Sequence, residues 1–208
     1  MTTDTNTDTA GAEQRPWLRT EHGATIGHAE AWCWGRTVRL QLRRILHEDD
    51  GETGIIDARQ LVMALRMVLR GAQMSRTHLT TAEGRAILDE GLAAFTAAVP
   101  GGKEARDVIE HFDEYTQGTG WLQQPVRPRL RVPDEEQAQR FHIDFRRDDG
   151  DDGRQRPVLI VGPYPIDLIT AADAAERLAC DIYEALCMDQ GNPVPRGWAY
   201  DVRTIPAP

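Results

Sequence analysis

The sequence predicts a mainly α protein, a four- to five-helix up-and-down bundle with a small antiparallel β extension near the C-terminus. Three observations carry that expectation. Apolar residues recur at helical spacing through most of the first 118 positions. Glycine, proline and acidic breaks cut that stretch into segments with short connections, which favours antiparallel neighbours. After Gly120 the apolar period changes to two, the mark of half-buried strands. At 208 residues, 40% hydrophobic and 27% charged, the chain can build a core of ordinary globular kind.

Residues 1–20 read as a disordered leader, polar and acidic, with Pro16 near its end. One helical domain is expected over 21–188. Its first helix spans about Thr25 to His47, with Ala31, Trp34, Val38, Leu42 and Ile45 on one stripe, and Glu48 to Gly51 breaks it. The second spans about Asp57 to Gln73. It is apolar nearly all round (Leu61, Val62, Ala64, Leu65, Val68), as a central bundle helix would be. Thr80 and Glu83 have capping-box spacing and open a third helix carrying Leu88, Leu92, Phe95 and Val99, which Pro100-Gly101-Gly102 ends. A fourth runs from about Lys103 to Gln117 and stops at Gly118-Thr119-Gly120.

Pro125, Pro128 and Pro133 punctuate the next segment, and a β-hairpin insertion is expected over about 139–169. Phe141, Ile143 and Phe145 alternate with His142, Asp144 and Arg146, Asp148 to Gly153 supplies turn residues, and Val158 to Val161 is a compact apolar strand. Thr170 with Asp173 has capping-box spacing ahead of a fifth helix burying Ala175, Leu178, Ala179, Ile182 and Leu186. Residues 189–208 read as a proline-rich tail.

Several functions are disfavoured by composition. A net charge of −9 opposes bulk attraction to nucleic acid or an anionic membrane, so any such contact has to be local. Cys33, Cys180 and Cys187 are odd in number and scattered, which favours a reducing compartment over a disulfide framework. With no secretory pattern at the N-terminus and no apolar run of membrane-spanning length, a soluble cytoplasmic protein is expected. The histidines lack metal-ligand spacing and no phosphate-binding glycine loop is present, so neither metal nor cofactor is expected. The acidic turn at 148–153 has Gly150 and Leu159 where a calcium loop needs oxygen ligands, and reads as a solvated hairpin. Arg127, Arg129, Arg131, Arg146, Arg147, Arg154 and Arg156 are the one basic concentration, interleaved with acids as a mixed surface.

Chemistry is concentrated in Arg106-Asp107-Val108-Ile109-Glu110-His111. A permanent cation and the one side chain that titrates near neutrality lie five residues apart. On an ideal helix Asp107, His111 and Tyr115 follow one line beside an apolar arc of Ala105, Val108, Ile109 and Phe112. Arg106 falls about 140° from His111. The two therefore need a kink, a long side-chain reach, or a twin helix from a second copy across a two-fold axis. A second arrangement of the same residues pairs Arg106 with Glu110 at i+4 and tucks His111 beside Tyr115.

An arginine followed by a polar residue, with a histidine four to six positions on, is the motif of the HEPN superfamily, and the chain resembles it over residues 25–118. The resemblance implies a helical bundle, usually homodimeric, and metal-independent cleavage of RNA in active members, often toxins or defence components with a partner antitoxin. It implies that His111 acts as general base toward a ribose 2′-hydroxyl, that Arg106 holds the phosphate, and that Asp107 steers one of them. Toxin-like members often carry a tyrosine two residues after the histidine; here that position is Asp113, and Tyr115 lies two further on. The other function consistent with the sequence is a non-catalytic helical module that binds a protein or nucleotide partner.

Overall fold

The structure, a computed structural model, describes residues 20–47, 51–123, 141–149 and 155–193. The expected leader, the prolines at 125–133, the tip of the acidic turn and the distal tail lie outside them. The described residues are mainly helical, with a three-stranded antiparallel sheet toward the C-terminus.

Helices α1 (Thr20–His47) and α2 (Gly51–His78) form a long antiparallel pair. Both exceed their expected lengths, and Gly23, Gly27 and Gly71 within them mark close packing between the two. A Cβ on Gly27 or Gly71 would collide with the backbone carbonyl of the other, so these two residues set the helix separation. Beside them the buried Ser75 hydroxyl donates to the Ala24 carbonyl at 2.9 Å. The apolar girth of α2 is used as expected: Leu61, Val62, Ala64, Leu65 and Val68 are all buried.

Helix α3 (Ala82–Ala98) starts one residue later than its capping-box spacing suggests. Thr81 is the N-cap, its hydroxyl accepting from Gly84 N–H. Asp189 causes the shift: its Oδ1 accepts from the amides of both Thr80 and Thr81, drawing Thr80 out of the capping position. Helix α4 (Gly102–Glu110) is capped by Gly101 at φ +75°, where a Cβ would also strike the Tyr164 ring. The expected fourth helix is not continuous. It breaks at His111, and a short α5 (Phe112–Thr116) and a 3₁₀ turn (Trp121–Gln123) follow.

Strands β1 (Ile143–Asp149), β2 (Gln155–Val161) and β3 (Tyr164–Asp167) make a meander in that order, with Phe145 opposite Leu159 and Leu159 opposite Ile166. Asp148 and Asp149 belong to β1 and not to the turn. Helix α6 (Leu168–Asp189) follows β3 directly. Its cap is Asp167, which accepts from Thr170 N–H at 2.9 Å, so Thr170 lies inside the helix and not at its start. Ala175, Leu178, Ala179, Ile182 and Leu186 are buried as expected. Helix α6 packs against α3 and α1, and takes the bundle place that chain order would assign to α4. Its alanines (171, 172, 174, 175, 179, 185) allow that close approach. Helix α4 instead lies on the flank of α2.

Candidate functional site

The break at His111 makes the site. In α4, Ala105 and Val108 are fully buried, which anchors the helix and turns Arg106 and Asp107 along its border. His111 leaves helical geometry at φ −115°, ψ 35°. The change of direction buries Tyr115 to 1% exposure, with its ring 4.9 Å from that of Phe141. The Tyr115 hydroxyl donates to Asp107 Oδ2 at 2.7 Å and accepts from Leu122 N–H at 3.3 Å. Gln123, also buried, donates to the Tyr115 carbonyl at 3.0 Å and accepts from Gly120 N–H at 2.8 Å. Burial first, and the Asp107 carboxylate second, hold the Tyr115 hydroxyl protonated well above its ordinary range. Phe112, expected on the apolar arc, is instead 61% exposed, because the arc ends where the helix does.

The altered path brings Arg106, Asp107 and His111 onto one concavity of about 410 Å³, which Arg66, Lys103, Glu114 and Trp121 help to line. The ideal-helix separation of Arg106 and His111 is therefore overcome within a single chain. Asp107 does not orient the histidine, since its carboxylate binds Tyr115. Glu114 stands at His111, with Oε1 3.4 Å from Nδ1. Nε2 is the ring nitrogen that this carboxylate does not engage. His111 is about half exposed and does not pack beside the buried Tyr115. Arg106 forms an ion pair with Glu110, the i+4 partner expected from spacing, while its Nε is buried without a hydrogen-bond partner among the described residues.

Arg66 was not singled out by sequence reading. It interrupts the apolar run of residues 61–69 in α2, and a charge at such a position is the signal that could have found it. Its Nε is also buried without a hydrogen-bond partner among the described residues. Burial lowers its proton affinity, the Arg106 and Arg70 charges lower it further, and Glu110 opposes them. Two guanidiniums held close in a half-buried hollow form a place where an anion is favoured. Lys103 and Trp121 were likewise not expected at the site; they enter through the first turn of α4 and the 3₁₀ turn.

The basic concentration near the sheet is engaged elsewhere. Arg146 pairs with Asp148 at 2.7 Å, Arg147 donates to the Ile45 carbonyl at 2.9 Å, and Arg156 meets Asp167 at 3.4 Å. Arg127, Arg129, Arg131 and Arg154 lie outside the described residues. Among the described residues, no three His, Cys, Asp or Glu side chains are grouped to hold a metal ion, and no helix is long and apolar enough to cross a membrane. Cys33, Cys180 and Cys187 form no disulfide among the described residues, and Cys187 is buried. Searches against protein-family models, curated proteins and solved structures gave no match to this chain.

Proposed function

We propose that this chain is a HEPN-like, metal-independent endoribonuclease acting as a cytoplasmic homodimer, with a toxin or defence role. The observation that carries the reading is that Arg106 and His111, the two ends of the motif, line one hollow beside a second arginine. In the proposed reaction His111 Nε2 takes the proton from a ribose 2′-hydroxyl. The 2′-oxygen then bonds to the adjacent phosphorus, the bond from phosphorus to the 5′-oxygen breaks, and that oxygen takes a proton from water, to which His111 gives up its own. The products are a 2′,3′-cyclic phosphate and a 5′-hydroxyl end. Arg106 neutralises the charge that grows on the phosphoryl oxygens, and Asp107 acts indirectly, by fixing Tyr115 and with it the break. The reducing cytoplasm suits three cysteines outside any disulfide. Exposed Phe112 and Trp121 beside the hollow provide apolar surface for a second copy.

Purified protein incubated with RNA in EDTA is expected to cut it. His111→Ala should lower the rate by roughly 10²- to 10⁴-fold while the thermal transition stays in place. Equal cutting by the variant and the wild type would remove the proposal.

A second reading is favoured by the carboxylates at the motif: Glu110 holds Arg106, and Glu114 stands at the imidazole. On that reading the chain is a non-catalytic module for a protein or nucleotide partner, such as an antitoxin. It predicts that RNA stays intact in EDTA at every protein concentration.

A further inference from the structure

A second concavity of about 370 Å³ adjoins the motif hollow, and Arg66, Lys103 and Glu104 line both. The two differ in chemistry. The motif hollow is rimmed by charges, whereas Leu65, Leu69, Leu92, Phe95 and Val99 wall its neighbour, with Gln73 and Thr96 as polar groups among them. Thr96 donates its hydroxyl proton to the Leu92 carbonyl at 2.8 Å, which leaves its oxygen able to accept. Each chamber falls at the low end of the roughly 300–1,000 Å³ typical of small-ligand sites. The shared wall carries Arg66, whose buried Nε lacks a partner among the described residues, as does that of Arg106.

We infer that the two chambers are one bipartite nucleotide site: the phosphate sits between Arg66 and Arg106, and the nucleobase enters the apolar chamber beyond Arg66 and Lys103. The identification of the ligand as a nucleotide rests on the proposed ribonuclease reading. The division into an anionic and an apolar half rests on the chambers themselves. A phosphate dianion offsets two adjacent guanidiniums that otherwise repel each other. A flat ring replaces water along the leucine and phenylalanine wall and keeps its polar edge toward Gln73 and Thr96. Arg66 is then a binding residue outside the motif, and it fixes which nucleotide of a strand lies beside His111.

The test is calorimetric titration of the full chain with inorganic phosphate, adenosine and adenosine 3′-monophosphate. The nucleotide is expected to bind at least about tenfold more tightly than phosphate, the increment that burying a modest apolar area supplies. Arg66→Gln should weaken phosphate and nucleotide alike by about tenfold or more. Leu92→Gln should reduce the nucleotide to the affinity of phosphate and leave phosphate unchanged. Leu69→Gln, on the opposite wall, serves if the first variant does not fold. A nucleotide that binds no better than phosphate, or phosphate binding indifferent to Arg66→Gln, would overturn the inference. RNA cleavage is scored separately: nucleotide binding without cleavage sinks the ribonuclease reading alone, and cleavage with KM unchanged in Leu92→Gln sinks the bipartite site alone.

Discussion

At the scale of single residues, the site is a contest between cations and the carboxylates that sit on them. Arg106 has Glu110 as its helical neighbour, and both side chains are about a quarter exposed. An ion pair with that access to solvent contributes little to stability, about 0–1 kcal/mol. Glu110→Gln is therefore expected to shift the unfolding midpoint negligibly and to tighten phosphate binding severalfold, because the guanidinium loses a competing anion; isothermal titration of both proteins measures this. His111→Ala should also be nearly neutral in stability, within about 0.5 kcal/mol by chemical denaturation, since the side chain is about half exposed at the rim of the hollow. The motif itself was legible from the sequence, down to the i+4 pairing of Arg106 with Glu110. Arg66 was not, because helical spacing says which face is apolar but not which neighbouring helix a charge will meet.

At the scale of elements, the break between α4 and α5 is the feature on which the site depends. An ideal helix through Lys103 to Gln117 keeps Arg106 and His111 apart, and nothing local in that stretch is a proline or glycine that would announce a kink. The redirecting interactions come from farther along the chain, from Leu122, Gln123 and Phe141 around Tyr115. Tyr115→Phe removes the hydroxyl that joins Asp107 to the Leu122 amide. It should cost about 1–3 kcal/mol in urea unfolding, the penalty for leaving partly buried polar groups unpaired. Activity should fall further than stability accounts for, as the histidine loses its fixed position; His111→Ala by contrast removes activity without the stability loss. The caps missed by one to three residues have the same origin. Thr81 replaces Thr80 because of Asp189, over a hundred positions away, and Asp167 caps α6 because a strand runs straight into it. Helix and strand identity was readable because it follows local periodicity, whereas the helix ends depended on distant partners.

At the scale of the whole molecule, the bundle is α1, α2, α3 and α6, with the sheet hairpinning the chain back so that α6 lies antiparallel to α3. The mainly helical class with a small late sheet was evident in the sequence, but the placement of α6 in the bundle was not, since it requires knowing that alanines 171–185 pack on helices far earlier in the chain. That packing has two testable contacts. Gly71→Ala should cost about 1–3 kcal/mol, because the α1 backbone at Gly27 cannot yield to a methyl group. On the other side, Asp181 of α6 is pressed against Gly91 of α3, near Glu184 and Glu90 with Arg177 in partial compensation. Burial, followed by these two acids, raises its carboxyl from 3.8 to about 6. The folded state thus holds this proton more tightly than the unfolded chain, so its contribution is fully present below about pH 4 and is lost as pH rises through about 6. Asp181→Asn should therefore stabilise the protein at pH 7.5 by about 1 kcal/mol once solvent screening is allowed for, or about 3 °C in Tm, and give no gain at pH 4. The proposed cleavage requires Arg106 and His111 to face one phosphodiester. The most direct measurement is side-chain nitrogen NMR of both groups during titration with a 2′-O-methyl RNA dinucleotide, which can bind but not be cut. The predicted result is that the Arg106 Nε–H and the His111 imidazole signals move together and saturate with one dissociation constant; movement of one without the other, or of neither, would contradict it.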